Sequence, residues 1–241
     1  MKHQYFGDIN DYRKYGLLRT LRRDGDLRLG VCWMLTADDG RSDGRFTTYL
    51  SDPLGWRHHD PHLFDALACT VPVRRHLDHV QTHELIPEAV FVDAAVPQER
   101  QQRAQFFEEA HERLAATDVV FYDPDNGIEI PSCPVGRSGS NKYVLWSEIE
   151  RTYTAGASVL IYQHFRREKR NAFVARMARE LRHRTEATSV MCFRTANVAF
   201  FLLGQQRHAK AIERAIVHLN RAWGEQIQVW ADNRLAKLRI E

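Results

Sequence analysis

The chain has 241 residues, 44% hydrophobic and 27% charged, with a formal net charge of +3. That length holds one large domain, or one domain carrying an insertion, around a real core. The small, mixed charge does not by itself predict a polyanionic partner. Cys32, Cys69, Cys133 and Cys192 are scattered without a C-x-x-C pair and read as cysteines of a reducing compartment rather than as a zinc site or a disulfide frame. There is no signal-peptide pattern and no long apolar run, so a cytoplasmic protein without membrane association is expected.

In chain order, Asp8 is a candidate helix N-cap, with Asp11 in the first turn where the helix dipole favours an acid. Tyr15, Leu18 and Leu21 then fall near one face, and Gly25 ends the helix. Asp11 and Lys14 are neighbours on it, and spacing alone describes a solvated ion pair. Leu29 to Thr36 reads as a strand running into ADDGRSDGR, with Gly40 and Gly44 among acids. Many α/β enzymes seat a cofactor on a glycine loop placed this way, although G-x-G-x-x-G is absent here. Residues 46–84, rich in Pro, His and Asp, read as a mostly helical insertion. Its histidines fall in two groups, His58, His59 and His62, and His76, His79 and His83. His79 and His83 have metal-ligand spacing, but without H-E-x-x-H all six read as exposed side chains and no metal is expected. Ala89 to Asp93 is a short strand ending in an acid, and Pro97 opens a helix running to about Ala116.

The stretch DVVFYDPDNG, Asp118 to Gly127, is the centre of the pattern. Val119 to Tyr122 read as a buried parallel strand, and the turn residues begin where it should end. Ligands of open α/β sheets sit at the carboxyl ends of strands, so Asp123, Asp125 and Asn126 mark a candidate site. The plain alternative is an ordinary Asx/Gly turn. The following loop, with Pro131, Pro134, Gly136 and Gly139, reads as a lid, and Lys142 to Tyr153 as a helix. Ala157 to Phe165 is another buried strand, with Gln163 and His164 at its carboxyl end. Residues 166–184 form a basic helix: Phe173, Val174, Met177 and Leu181 face inward, while Arg176, Arg179, Arg182 and further basic residues cover the rest. Such a surface suits a phosphate backbone, with a solvated basic face as the alternative. TSVMCFRT and NVAFFLLG read as an antiparallel hairpin, followed by a helix over 207–223 and a last strand from Ile227. The alternation predicts a single α/β domain: a mainly parallel, doubly wound, Rossmann-like sheet with an antiparallel C-terminal hairpin and the insertion at 46–84.

Three features carry a family resemblance: Gly7, Asp11 and Lys14 as G-x-x-x-D-x-x-K, the strand ending in Asp123 and Pro124, and the order of VLIYQH, hairpin, helix and last strand. In these the chain resembles class I S-adenosylmethionine-dependent methyltransferases, most of all the bacterial large-subunit ribosomal RNA adenine methyltransferases. The resemblance implies the methyltransferase variant of the fold, S-adenosylmethionine as cofactor without metal, and nucleic acid, RNA rather than DNA, as partner. It implies a helix across the carboxyl edge of the sheet that brings Lys14 to Asp123. Asp123 would polarise the acceptor or accept its proton, helped by Lys14 and Asn126. Gly7, Asp11, Thr36, Gly40 and Asp93 would hold the cofactor. Asp125, Gln163 and His164 would line the acceptor side, and Arg176, Arg179 and Arg182 would take the polyanion. The sequence also departs from the family. Asn126 replaces the aromatic residue that stacks on the base, Asp125 replaces the second proline of D-P-P-Y, and Met34 stands where an acid is expected. Only one strand, instead of two, lies between the first and central strands.

The rival readings are a non-catalytic nucleic-acid-binding module, a haloacid-dehalogenase-like phosphatase and a metal-dependent nuclease. The phosphatase would use Asp123 as nucleophile and Asp125 as acid around magnesium, but downstream acids are scarce, with Asp232 the only later aspartate. The nuclease would use Asp123, Glu129 and Lys142.

Overall fold

The structure, a computed structural model, describes residues 1–38, 40 and 44–231. Asp232 and parts of the ADDGRSDGR loop therefore lie outside the described residues. The chain begins with helix α1 (Ile9–Arg23), capped by Asp8, whose carboxylate accepts from the Asn10 amide. Strand β1 (Leu29–Cys32) follows. The insertion holds α2 (Pro53–Trp56), α3 (Pro61–Thr70) and α4 (Asp78–Thr82), with 3-10 turns at Thr48–Ser51 and Arg57–His59. Two Asp-Pro pairs start two of these helices: Asp52 and Asp60 accept backbone N–H groups, and Pro53 and Pro61 occupy the first helical turn.

Next come β2 (Val90–Val92), α5 (Arg100–Leu114), β3 (Val119–Tyr122), β4 (Gly127–Ile128) and β5 (Tyr143–Val144). The chain continues through α6 (Trp146–Thr154), β6 (Ser158–His164), α7 (Arg170–Thr185), β7 (Ser189–Arg194), β8 (Val198–Gly204), α8 (Ala209–Trp223) and β9 (Gln228–Ala231). Several helices start later than their sequence predicts, among them α7, expected from Arg166 and found from Arg170. Glu99, rather than Pro97, caps α5 by accepting from the amides of Gln101 and Gln102. Residues 142–145, expected as helix, instead contribute β5, because α6 is nucleated by two carboxylates: Glu148 accepts from the Leu145 amide and Glu129 from the Trp146 amide.

The main sheet has seven strands in the order β2-β1-β3-β6-β8-β7-β9. The pairs β2/β1, β1/β3 and β3/β6 are parallel, and β8, β7 and β9 join through antiparallel pairs. The small pair β4/β5 stands apart. Side chains alternate between two buried layers, as a period of two requires. Val31, Phe121, Leu160 and Phe200 join the layer of α1, α3 and α8, while Cys32, Val120, Ile161 and Phe201 join that of α5, α6 and α7. Helices α1 and α8 come so close that a Cβ on Gly16 would lie 2.2 Å from the Trp223 ring. Two buried ion pairs brace the layers, Arg19 with Asp60 and Arg103 with Glu148, each at 2.7 Å. No helix among the described residues is long and apolar enough to cross a membrane.

Candidate functional site

Strand β2 lies on one side of β1 and β3 on the other, so the strand order reverses at β1. A crevice at the carboxyl ends is expected at such a switch point. There the structure holds a cavity of about 450 Å³. Its lining comes from α1 and the turn before it (Tyr5, Asp8, Asn10, Asp11, Lys14), the end of β3 (Asp123 to Asn126), β6 (Tyr162, His164) and the start of β8 (Val198).

Lys14 organises the floor. Its Nζ donates to Asp123 Oδ2 at 2.6 Å and pairs with Asp11 Oδ1 at 2.8 Å. All three side chains are buried, so the solvated pair expected from spacing is instead an interior one. The Tyr15 hydroxyl donates to the other oxygen of Asp11 at 2.9 Å. The rings of Tyr15, Trp33 and Tyr162 lie around the ammonium, 5.5 to 5.6 Å from their centroids.

Burial pushes the pKa of Asp123 and of Asp11 above the ordinary carboxylate value, and the shared Lys14 offsets this only in part. Burial also works against the Lys14 ammonium, but Asp11 and Asp123 outweigh it and hold its pKa above the usual lysine value. Two carboxylates sharing one ammonium leave an excess negative charge away from water. The three groups are electrostatically coupled, and burial is the largest cause of the raised carboxyl pKa values. Asp123 is the member at the strand end, with Pro124 beside it.

Asp125 has different partners. It accepts from the Thr36 hydroxyl at 2.6 Å and lies 2.7 Å from the Met1 amino group, with Lys2 Nζ at 3.9 Å. Burial opposes its charge, but these partners prevail and its pKa lies below the ordinary value. His164 opens to the cavity; crowding by surrounding protein lowers its pKa although Asp123 and Asp125 favour its charged form.

The other candidate residues fall in several places. Asn126 lines the cavity, and its amide donates to the Lys142 carbonyl. Gln163 does not line the cavity, because the next residue along a strand faces the other side. Its side chain accepts from the Ile128 amide and donates to the His164 carbonyl, which secures β4. Gly127 beside it has φ +104, and a Cβ there would strike the Gln163 amide at 2.4 Å.

Of the five residues expected to hold the cofactor, only Asp11 lines the cavity. Gly7 packs on Val71 with φ +74 and turns the chain into α1. Thr36 is committed to Asp125. Gly40 is exposed with no atom near its Cβ position, and Asp93 is exposed at the end of β2, accepting from Gln81. Met34, where an acid was expected, is buried.

Helix α7 packs on the opposite face of the sheet from α1, so Arg176, Arg179 and Arg182 stand away from the cavity. Arg176 pairs with Glu168 and lines a separate groove with Trp146, Arg166 and Arg184. Glu129 also borders that groove and does not line the cavity that holds Asp123 and Lys142.

Tyr5, Asn10, Phe46, Tyr162 and Asn197 line the cavity without having been expected from the sequence. Tyr162 was within reach, since Leu160, Tyr162 and His164 share one face of β6 by alternation. Phe46 is set by a longer-range contact: its amide donates to Asp8 Oδ2 at 3.1 Å, which fixes it beside the first turn of α1.

The chain is thus an α/β protein with a mostly parallel central sheet and a polar, aromatic-edged cavity at the switch point. No protein-family model, no curated protein and no solved structure matches it.

Proposed function

We propose that the chain is an enzyme of the methyltransferase type, acting on a nucleobase of nucleic acid, RNA before DNA, that enters the cavity over Asp123. The observation that carries this is the buried Lys14–Asp123 contact at 2.6 Å, made by a helix that packs on one face of the sheet and lines the cavity with its first turns. It joins two of the motifs on which the family resemblance rests. The C-terminal hairpin, with β8 antiparallel to β6, further supports it.

The acceptor side has a physical basis. Asp123, with its raised pKa, receives the proton or hydrogen bond of an exocyclic amine, and Lys14 holds it in place. Asn126 cannot stack on a base, but Tyr5, Phe46 and Tyr162 supply ring faces around the same cavity. Phe46 is 66% exposed, a large apolar surface left open at the rim. Aromatic faces and a hydrogen-bonding carboxylate are what a flipped or single-stranded base needs.

The methyl donor of such an enzyme is S-adenosylmethionine. Gly7, Thr36, Gly40 and Asp93 do not converge with Asp11 into one cradle, so that residue set does not fit the donor and no step is derived through it. The magnesium-dependent phosphatase reading has less support, because Lys14 already occupies an oxygen of Asp123 and the Met1 amino group and Thr36 occupy Asp125. The test is transfer of labelled methyl from S-adenosylmethionine to RNA and DNA. Transfer by the parent chain and its loss in Asp123→Asn support the proposal. Equal labelling by both, or labelling of neither nucleic acid, counts against it.

A further inference from the structure

We infer that His58, His59 and Glu225 form a zinc-type metal site tying the helical insertion to the end of α8. It is independent of the cavity and of the function proposed there. One ligand atom of each residue lies within 4.8 Å of the others, and no other group of this kind occurs among the described residues. The rings of His58 and His59 converge, with centroids 4.0 Å apart, although successive side chains on a tight helical turn ordinarily diverge.

His59 supplies the second observation. It is 5% exposed and stacked on Trp223, with ring centroids 5.1 Å apart. Its Nδ1 lies 2.6 Å from the Ala222 carbonyl, so that nitrogen carries the proton and donates. The lone pair is then on Nε2, which is buried with no hydrogen-bond partner. A buried acceptor without a partner is costly and uncommon. A metal ion supplies the missing partner, and an imidazole whose other nitrogen donates to a backbone carbonyl is already oriented for metal binding.

The donor set names the metal class. Two imidazoles and one carboxylate suit zinc or a similar transition ion, with a fourth position left for water. Magnesium and calcium favour all-oxygen sites. His58 and Glu225 are exposed, so both can close on the ion while His59 remains packed.

The experiment uses the untagged full-length chain, stripped with chelator and titrated with zinc chloride by calorimetry, followed by cobalt(II) absorption spectroscopy. One zinc per chain, a zinc-dependent rise in Tm and a cobalt d–d band are expected. His58→Ala and Glu225→Gln should each weaken zinc binding about tenfold or more, while their metal-free melts match the parent. Absence of zinc binding, or either variant binding zinc as tightly as the parent, overturns the site.

Discussion

An ammonium held between two carboxylates away from water depends on all three members. Removing Lys14 leaves two buried acids without the ammonium they share, and breaking such a pairing costs about 3–5 kcal/mol. Lys14→Met should lose that much stability in urea melts at neutral pH and less at acid pH, where the orphaned acids take up protons. A cost independent of pH would place the acids in a solvated setting. Asp123→Asn tests the same centre from the other side. The folded-state pKa of Asp123 is raised, so its contribution is fully present below the unfolded carboxylate value and is lost as pH rises through the folded value. Relative to the parent, Asp123→Asn should therefore gain stability as pH increases above the ordinary carboxylate range. Parallel stability–pH curves would contradict the raised pKa. Much of this centre was legible in the sequence, because Gly7, Asp11 and Lys14 sit at motif spacing and Asp123 ends an apolar strand. What spacing could not give was burial: Asp11 and Lys14 look like any helical surface pair until α1 is laid on the sheet.

Among the elements, α1 is fixed by its fit against α8. The missing side chain at Gly16 lets the Trp223 ring approach, so Gly16→Ala should overpack this junction. A loss of about 1–3 kcal/mol in denaturant unfolding is expected; no loss would mean that Trp223 rotates away freely. Helix α7 is the other element with a distinct surface. If its arginines take phosphates, replacing Arg176, Arg179 and Arg182 with Ala should weaken RNA binding and lower the salt slope by about 1 for each phosphate no longer neutralised. Unchanged binding and slope would identify a solvated basic face. The helix and strand order was readable from periodicity, but some boundaries were not. Residues 142–145 lie outside α6, and Tyr143–Val144 form β5, because Glu129 and Glu148 fix the start of α6, and Glu129 comes from across the small sheet. His59 was likewise read as exposed, whereas stacking on Trp223 from the far end of the chain buries it. Such long-range partners leave no local pattern.

Over the whole molecule, the sheet order places the crevice: β1 sends the chain first to β2 and then to β3, and the cavity opens where the two directions part. The α/β alternation foretold a mostly parallel sheet but not its strand order. It did not foretell that Thr36 and Gln163, both near strand ends, would spend their side chains on the protein itself. The most direct test of a methyltransferase cavity over Asp123 is calorimetric titration of the full chain with S-adenosylmethionine and its demethylated product. Saturable binding of both is the predicted result. No heat from either compound, with magnesium alone raising Tm, would contradict it and bring forward the phosphatase reading of Asp123 and Asp125.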